Sequence, residues 1–322
     1  MKTLGVVIVT HNSEAVIGKC LASLAQADAE IVVVDNASAD GTCRRVLEAG
    51  GAALIANPWN RGFAAAANQG IGTLETPYVL LLNPDTEVLG GLDALMAACS
   101  EPGVAAACGK LVDDGGRPQA GFMVRRFPTP AALSFEALGL NRLWPGNPVN
   151  RRYRCLDFDP EAESAVEQPA GAFLMFRREV WRNAGGFDER FEPLWFEDVD
   201  FCKRIASESG QIRYVPVAAA RHTGGHSAAR LPDGTREAYW YGNLLRYAAK
   251  HFSPLAFAAV CAAVMLGSCF RAFWGIIRFG SLQPVSIYFG IVRLAAKFSV
   301  ARRRDNLRLS SCVFRAVGHK FQ

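Results

Sequence analysis

Three acidic segments of this chain have neighbours suited to chemistry on a phosphorylated ligand. They are Asp35-Asn36-Ala37-Ser38, Asn83-Pro84-Asp85 and Trp195-Phe196-Glu197-Asp198-Val199-Asp200. Carboxylates bind hard divalent cations and accept protons from nucleophiles. The sequence therefore predicts a binding and catalytic centre wherever the fold brings these segments together.

The first two segments each allow two interpretations. In 35–38, a carboxylate, an amide and a hydroxyl suit the N–H and C=O groups of a pyrimidine base, but such residues also form Asx-type turns that cap helices. In 83–85, Asp85 follows an apolar run and is suited to hold a divalent ion against a pyrophosphate. A β-turn with Pro84 at its second position is the alternative. The end of a buried strand favours the ligand-binding role.

The third segment opens a predicted helix with three acids in its first turn. Acids there stabilise a helix through its dipole, but one or two are enough for that role. Trp195 and Phe196 precede the acids and suit a platform for a sugar ring. We therefore expect Asp198 to act as a general base, with Glu197 and the two aromatic residues on the acceptor side.

A fourth candidate is His222-Thr223-Gly224-Gly225-His226. The spacing of its two histidines suits a metal only on a helix, and the two glycines argue against one. His222 alone is compatible with three roles: a ligand to the same ion as Asp85, a donor facing a phosphate, or an ordinary loop histidine.

Alternating strands and helices must position these residues. Apolar runs predict strands at 4–9, 30–34, 53–56 and 78–82, and helical spacing predicts a helix at 62–73. This alternation predicts a parallel sheet with right-handed crossovers, in which ligands bind at the carboxyl ends of the strands. Those ends carry polar residues: Thr10, Asn12, Asp35, Asn36, Asn57, Asn60, Asn83 and Asp85.

The second half of the chain is less regular. Residues 113–168 are rich in Pro, Gly and Arg, and we expect an irregular, mobile excursion there on the acceptor side. An ordered block follows from 166 to about 226, with a strand at 171–176, a helix at 178–184 and a strand at 212–217. Both later candidate segments fall in this block.

The end of the chain is basic and apolar. Residues 252–270 carry no charge and would extend about 28 Å as a helix. One membrane crossing, helices lying in the interface and a helix buried in the protein all remain open. Adjacent apolar runs favour a phospholipid surface over nucleic acid as the anionic partner. The net charge is +5, and the basic residues near the C-terminus include Arg271, Arg278, Arg293, Lys297 and 302–304.

The cysteines bear on the cellular compartment. There are nine, an odd number without a Cys-x-x-Cys pair, and they occupy mostly apolar positions. They indicate reduced core residues of a cytoplasmic protein rather than a disulfide or zinc framework. The apolar stretch at 4–9 is too short for a signal peptide, which agrees with that expectation.

With these segments assembled, the chain resembles the family 2 inverting glycosyltransferases of the GT-A fold, and among them the bacterial rhamnosyltransferase-like group that builds cell-surface polysaccharides. The resemblance covers residues 3 to about 227. It implies an α/β fold, a nucleotide-sugar-binding domain with a central, mostly parallel sheet flanked by helices, and the uncharged run at 252–270 adds a C-terminal helical tail. The motifs that carry it are 9–12, 33–42, Asn60-Arg61-Gly62-Phe63 with Asn68 and Gly70, 82–85, 185–189 and 197–200.

The resemblance also implies a domain division and site roles. Residues 1–230 would form the glycosyltransferase domain, with a nucleotide-binding half at 1–112 and an acceptor or catalytic half at 166–230. Residues 231–322 lie beyond the resemblance, and their apolar and basic runs predict a helical, membrane-associating region. The implied nucleotide-sugar-binding residues are Thr10, Asn12, Asp35, Asn36, Asn60, Gly62, Asn68, Asn83 and Asp85.

In this family pattern Asp85 coordinates Mg²⁺ or Mn²⁺ on the diphosphate, and Asp198 deprotonates the acceptor hydroxyl. His222 is the candidate second ligand to the metal. The family's Asp-x-Asp triplet is Asn83-Pro84-Asp85 here, so the metal would have one carboxylate fewer. We therefore expect metal dependence to be weaker than usual, or absent.

The implied reaction is an inverting single displacement that moves one sugar per acceptor, because the Gln-x-x-Arg-Trp signature of processive synthases is missing. The leading expectation is transfer of rhamnose from dTDP-rhamnose to a lipid-linked or cell-surface glycan at the cytoplasmic face of the bacterial inner membrane. The alternatives are a UDP-hexose or UDP-N-acetylhexosamine transferase and a non-catalytic sugar-nucleotide-binding subunit. A sugar nucleotidyltransferase is disfavoured because no Gly-x-Gly-Thr-Arg segment follows the first strand.

Overall fold

The structure is a computed structural model, and it describes residues 2–208, 210–224 and 231–303. These residues form two compact units. The sheet unit comprises the described residues up to 127, then 154–193 and 197–224, whereas the helical unit comprises 128–153, 194–196 and those from 231 onward. The sequence-based division at residue 230 differs from this, because two earlier segments belong with the C-terminal helices. His226, Arg304 and Cys312 lie outside the described residues.

The described part of the sheet unit contains these strands: β1 (Leu4–Thr10), β2 (Ala29–Asp35), β3 (Ala52–Ala56), β4 (Tyr78–Leu82), β5 (Thr86–Gly90), β6 (Val104–Val112), β7 (Val124–Arg125), β8 (Ser164–Val166), β9 (Gln168–Pro169), β10 (Phe173–Arg177) and β11 (Gln211–His222). The main sheet has the order β3-β2-β1-β4-β10-β6-β11-β5, with β8 beside β11. β7 pairs separately with β9. β3, β2, β1 and β4 are mutually parallel, whereas β10 runs antiparallel to β4 and β6.

The helices of the described residues are α1 (Ile17–Ser23), α2 (Thr42–Ala49), α3 (Phe63–Thr73), α4 (Leu92–Ser100), α5 (Pro130–Leu138), α6 (Leu140–Leu143), α7 (Pro148–Tyr153), α8 (Arg178–Asn183), α9 (Glu197–Glu208), α10 (Asp233–His251), α11 (Pro254–Phe279) and α12 (Gln283–Arg303). The helical unit contains α5 to α7 and α10 to α12, and the others belong to the sheet unit. None of the eight described cysteines forms a disulfide.

Apolar runs explain the centre of the sheet. All seven residues of β1 and four of the five in β4 are buried, as strands covered by helices on both faces require. Gly70 lets α3 lie close to this sheet, because a Cβ there would be 2.8 Å from Val7 Cγ1 and 2.9 Å from Val34 Cγ2. This close packing positions the start of α3 and the loop before it. That loop contains two candidate site residues, Asn60 and Gly62.

The alternation predicted for the first 82 residues is confirmed, since β1 to β4 and α3 match within one residue at each end. No element is predicted from the sequence between 86 and 112, where the structure has β5, α4 and β6. β6 escapes detection because it contains three successive alanines, which have low strand propensity. Small residues suit its position, since a Cβ on Gly109 would collide with the Phe173 ring and the Ala218 carbonyl.

The expectation of an irregular excursion at 113–168 is wrong, because this segment contains helices α5 to α7 and strands β7 and β8. Several of its Pro and Gly residues lie at helix ends. Thr129 accepts a hydrogen bond from Ala132 N (3.1 Å), Pro130 is the first residue of α5, and Gly139 ends the helix with a left-handed backbone. Residues that interrupt a helix in its middle delimit it at its ends.

The helical unit confirms a helical C-terminal region. Two of its segments, Pro254–Arg278 and Gln283–Arg302, are long and apolar enough to cross a membrane by length and composition. Only the first was expected from the sequence. In α11, Gly267 lies against the carbonyl of Ala137, and the Arg271 guanidinium donates to the carbonyls of Glu136 (3.1 Å) and Ala137 at the end of α5.

Candidate active site

Four strand ends of the sheet unit meet at one edge. Thr10 is the register partner of Asp35, and Ile8 is the partner of Leu82, so β1, β2 and β4 end together. β10 runs the other way, with Phe173 opposite Leu82, and it therefore begins at this edge. The polar residues that follow β1, β2 and β4 are thus neighbours of the segment that precedes β10.

Asp35 is almost fully buried, and both of its oxygens accept hydrogen bonds. Thr10 Oγ1 donates to Oδ1 (2.8 Å), as does Ser38 Oγ (2.5 Å), and Ser38 N donates to Oδ2 (2.9 Å). The hydrogen bond from Ser38 N is that of an Asx-type turn, although α2 begins only at Thr42. The carboxylate thus fixes the loop between β2 and α2.

Asn12 links this loop to the one after β1. Its backbone lies in the left-handed region, with φ of 53°, which asparagine tolerates better than most residues. Asn12 N donates to Ser38 Oγ, and Asn12 Oδ1 accepts from Ala39 N, both at 2.8 Å. The two loops therefore form one polar edge.

Asn36 and Asn60 determine the entrance to α3. Asn36 Nδ2 donates to the Gly62 carbonyl (3.0 Å), while its Oδ1 accepts from Asn57 Nδ2 (3.1 Å). Asn60 Oδ1 accepts from Gly62 N (2.9 Å). Gly62 has φ of +82°, a conformation that favours glycine, and the next amide, Phe63 N, donates to the Pro193 carbonyl (2.7 Å).

Asn68 holds the loop at 185–189. Its Oδ1 accepts from Trp181 Nε1 (3.0 Å) and Phe187 N (2.8 Å). Its Nδ2 donates to the Phe187 carbonyl (2.9 Å) and to Glu189 Oε1 (3.0 Å). With these four hydrogen bonds Asn68 shapes the loop, and its implied place beside the nucleotide stays a prediction.

Asp198 and the 83–85 turn attach to neighbouring residues. Asp198 Oδ2 accepts from Gly171 N (3.0 Å), and Asn83 N donates to the Ala172 carbonyl (3.1 Å). Burial raises the pKa of Asp198, while the amides of Gly171 and Val199 and the charge of Arg125 act to lower it. The carboxylate is thus fixed in position and more basic than an ordinary aspartate.

Glu197 differs from its neighbour. It is 7% exposed, and its Oε2 has no hydrogen-bond partner among the described residues. Burial raises its pKa well above the ordinary glutamate range, and the charge of Asp198 raises it further. An uncompensated buried carboxyl favours its neutral form.

Trp195 and Phe196 belong to the helical unit. Both have left-handed backbones, with φ of 76° and 72°, which is rare for bulky side chains and often marks functional sites. The Phe196 ring lies near those of Tyr247 and Trp240, with centroids 5.6 and 6.4 Å away. Their predicted role beside the acceptor sugar is compatible with this aromatic cluster and stays a prediction.

Asp200 has a structural role that the sequence did not reveal. It is fully buried and accepts from Arg204 Nε (2.9 Å). The same guanidinium donates to the carbonyls of Ala184 (2.5 Å) and Gly186 (2.7 Å). The i, i+4 spacing of Asp200 and Arg204 is the signal that identifies such a pair in a sequence.

Asp85 and His222 come together because β11 pairs with β5, with His222 opposite Thr86. Their side chains are buried, and His222 Nε2 lies 3.6 Å from Asp85 Oδ1. The predicted β-turn is present, since Thr86 N donates to the Asn83 carbonyl (3.1 Å). His222 ends a strand rather than lying in a loop, because β11 continues five residues beyond its expected end at 217.

Gln119 determines which nitrogen of His222 is protonated. Gln119 Nε2 donates to the His222 carbonyl (2.6 Å), so Gln119 Oε1 must accept from Nδ1–H of the ring (3.0 Å). Burial lowers the pKa of His222, which keeps the ring neutral. Phe122 stacks on the ring, with centroids 5.0 Å apart. Sequence reasoning missed both residues because it treated 113–168 as irregular.

This arrangement presents two acceptors to each other, the Nε2 lone pair of His222 and a carboxylate oxygen of Asp85. A divalent cation satisfies both, and two protein ligands are within the range usual for a metal that also binds a diphosphate. No group of three or more His, Cys, Asp or Glu side chains suited to a metal occurs in the described part of the chain. The residues thus fit an ion that keeps most of its ligands from substrate and water.

Comparison with known proteins agrees with this architecture. The chain matches the family model for glycosyl transferase family 2 over residues 5–180. It is 30% identical over 267 residues to N-acetylglucosaminyl-diphospho-decaprenol L-rhamnosyltransferase of Mycobacterium tuberculosis, covering 77% of this chain and 85% of that protein. It is 28% identical over 201 residues to the pre-mycofactocin glycosyltransferase of the same organism, covering 62% and 37%.

A solved structure shares the fold. It is a mannosyltransferase from Pyrobaculum calidifontis in complex with GDP-Man and Mn²⁺, with a TM-score of 0.50, 17% identity, and 95% of this chain and 87% of that one covered. The family match spans more than half of the 322 residues and includes the strand ends described above. This chain belongs to glycosyl transferase family 2 and is a glycosyltransferase of the GT-A fold.

Proposed function

We propose that this glycosyltransferase transfers rhamnose from dTDP-rhamnose to a lipid-linked glycan in a single inverting displacement. The observation that carries the proposal is the attachment of Asp198 and of the 83–85 turn to adjacent residues, Gly171 and Ala172. A carboxylate and a turn suited to a diphosphate are thereby neighbours at the sheet edge where nucleotides bind.

Asp198 is the proposed general base. The proton of the acceptor hydroxyl passes to Asp198, the hydroxyl oxygen forms a bond to the anomeric carbon, and the bond from that carbon to the diphosphate oxygen breaks. Gly171 N holds one carboxylate oxygen in place. A pKa raised by burial brings the base closer to the operating pH, which makes proton transfer more efficient.

The polar edge of the first three strands is the proposed nucleotide site. Thr10 and Asp35 shape it through their mutual hydrogen bond, Asn12 through a bond to Ser38 and Asn36 through a bond to Gly62. Asn60, Gly62 and Asn68 act in this proposal through the α3 entrance and the 185–189 loop. Asn83 lies at the adjacent strand end, toward the sugar diphosphate. The nucleobase of the donor would contact the backbone and the outer faces of these side chains.

Asp85 and His222 are the proposed ligands of Mg²⁺ or Mn²⁺. Such an ion offsets negative charge on a leaving diphosphate. The solved mannosyltransferase of the same fold contains Mn²⁺ and GDP-Man, which supports a divalent ion. With one carboxylate and one imidazole from the protein, affinity for the free ion would be modest and would rise when nucleotide is bound.

The donor and acceptor are proposed from the relative at 30% identity. Its name specifies L-rhamnosyl transfer to N-acetylglucosaminyl-diphospho-decaprenol, which supports a deoxyhexose donor and a polyprenyl-linked acceptor here. The two apolar helices suit an enzyme that works beside such a lipid. We place it at the cytoplasmic face of the inner membrane, with catalysis in residues 1–230 and membrane association in 231–322.

A transfer assay tests this proposal. The full chain is incubated with a polyprenyl-diphospho-N-acetylglucosamine acceptor and, separately, dTDP-rhamnose, UDP-glucose, UDP-N-acetylglucosamine and GDP-mannose. We expect product from dTDP-rhamnose, with the anomeric configuration inverted by NMR. Preferred transfer from a UDP-sugar would overturn the donor assignment, and retained configuration would overturn the mechanism. Nucleotide binding without turnover on any donor would favour a non-catalytic subunit.

A further inference from the structure

The exposed face of α11 is apolar along the helix. From Leu255 to Ile277, every exposed side chain of this helix is apolar or a cysteine. The large ones follow helical spacing, at 266, 270, 273 or 274, and 277, and therefore lie on one face. Leu266, Phe270, Phe273 and Trp274 are each more than half exposed. A contiguous face of this kind marks an interaction surface.

The opposite face of α11 is occupied by protein at mid-helix. Gly267 lies against the Ala137 carbonyl, and Arg271 donates to the carbonyls at the end of α5. Residue 266 is the midpoint of the apolar segment Pro254–Arg278. If α11 crossed the bilayer, Arg271 and the end of α5 would lie near the centre of the hydrocarbon, together with Glu136, which accepts a hydrogen bond from Asn141. Charged groups are costly there.

The charged residues of α11 and α12 are all basic. No acidic residue occurs between His251 and Asp305. Arg278 at the end of α11 is exposed, as are Arg293 and Lys297 on α12. Basic side chains beside an apolar, aromatic face are complementary to a surface of anionic lipid headgroups. A second copy of this chain would bring the same positive charge against itself.

We propose that α11 is an in-plane membrane anchor whose exposed face enters one leaflet of an anionic bilayer without crossing it. Leu266, Phe270, Phe273, Trp274 and Ile277 enter the interface, and the basic residues contact headgroups. Burial of such a face in the outer 5–10 Å of a leaflet, roughly, is typical of amphipathic anchors. This inference rests on the proposed action at a membrane and specifies its geometry.

Vesicle sedimentation of the full chain tests the surface. We expect binding to phosphatidylcholine vesicles that contain about 30% phosphatidylglycerol, an anionic lipid. Binding to vesicles of phosphatidylcholine alone should be weaker. The double variant Phe270→Glu/Phe273→Glu should bind at least about ten-fold more weakly. Leu143→Glu/Trp144→Glu, which changes two exposed residues elsewhere in the helical unit, is the matched control and should bind like the parent.

Depth measurements separate an in-plane helix from a crossing one. Nitroxides are placed at Ala262 and Phe273, which share a face and would differ in depth by about 16 Å in a helix along the bilayer normal. We expect both to be shallow and within a few ångströms of each other, roughly, for an in-plane helix. A large depth difference would overturn the proposal, as would unchanged vesicle binding of the Phe270/Phe273 variant. A dimer of the parent in ultracentrifugation that this variant no longer forms would instead assign the face to a second copy of the chain.

The inference and the proposed function fail differently. The Phe270/Phe273 variant should retain dTDP-induced thermal stabilisation and rhamnosyl transfer to a water-soluble acceptor analogue. Absent vesicle binding by the parent, with transfer to the soluble analogue intact, would sink the anchor alone. Intact vesicle binding without transfer from dTDP-rhamnose would sink the function alone.

Discussion

Two buried carboxylates of the sheet unit, Asp35 and Asp198, have opposite surroundings. Asp35 accepts hydrogen bonds from two hydroxyls and an amide, and its own turn provides two of these donors. Asp198 accepts from two backbone amides, and burial still raises its pKa. Its neighbour Glu197 has one oxygen without a partner among the described residues.

The difference indicates how the protein uses each acid. A carboxylate whose oxygens are satisfied by hydroxyls and amides of its own loops stabilises those loops. A buried carboxylate with fewer partners retains a tendency to take up a proton, which is the property a general base needs. Asp35 therefore shapes the site, and Asp198 is suited to the proton transfer itself.

The largest effect is expected from Asp198→Asn. The amide cannot accept the acceptor's proton, so kcat should fall about 10²- to 10⁴-fold, with little change in donor KM or thermal stability. Asp93→Asn, an exposed acid in the first turn of α4, is the matched control and should be neutral. Near-parental turnover of Asp198→Asn would mean that Asp198 is not the general base. A large drop in Tm would mean that Asp198, like Asp35, mainly stabilises the fold.

Gln119→Leu tests a different buried pair, His222 and Asp85. Without the Gln119 hydrogen bond, His222 is free to change tautomer, and we expect Mn²⁺ affinity in the presence of dTDP to fall about ten-fold. Titration calorimetry measures this directly. Gln26→Leu, at an exposed position, serves as control. Equal Mn²⁺ affinities of the two variants would mean that the Gln119 hydrogen bonds do not orient His222 as a metal ligand.

Asp35→Asn should lower the stability of the fold rather than the rate of the reaction. One oxygen of Asp35 accepts from Thr10 and Ser38 hydroxyls, and an amide cannot replace both carboxylate oxygens as acceptors. We expect a loss of about 1–3 kcal/mol in the free energy of unfolding, measured in urea. The solvent-exposed Asp28→Asn should change it little. If Asp35→Asn left stability intact and abolished turnover, the roles assigned to the two acids would need to be exchanged.

Glu197→Gln should give the smallest effect, and one that depends on pH. The folded state holds the Glu197 proton more tightly than the unfolded state, so the parent loses stability as pH rises through the raised pKa. The glutamine variant lacks this loss. We expect its Tm to exceed the parent's by about 2 °C at pH 7.5 and to match it near pH 4. The exposed Glu179→Gln in α8 should show no such trend.

Much of the sheet unit is predictable from sequence. The β1 to β4 alternation follows from apolar runs and turn residues that are local in the chain. The segment 113–168 is not, because residues such as Pro130 and Gly139 delimit a helix whose stability depends on distant partners such as α11. Propensity cannot distinguish a residue that ends a helix from one that prevents it.

The sequence by itself determined the residue types at the strand ends, and with them the family and the acids that we propose for the glycosyl transfer. Only the tertiary structure decided which of these acids have hydrogen-bond partners, that Arg204 links Asp200 to the Ala184 carbonyl, and that Gln119 hydrogen-bonds to His222. The physical reason is that hydrogen-bond partners and burial come from residues 20 to 100 or more positions away. A local pattern gives a side chain its chemistry, whereas its surroundings give it a charge state.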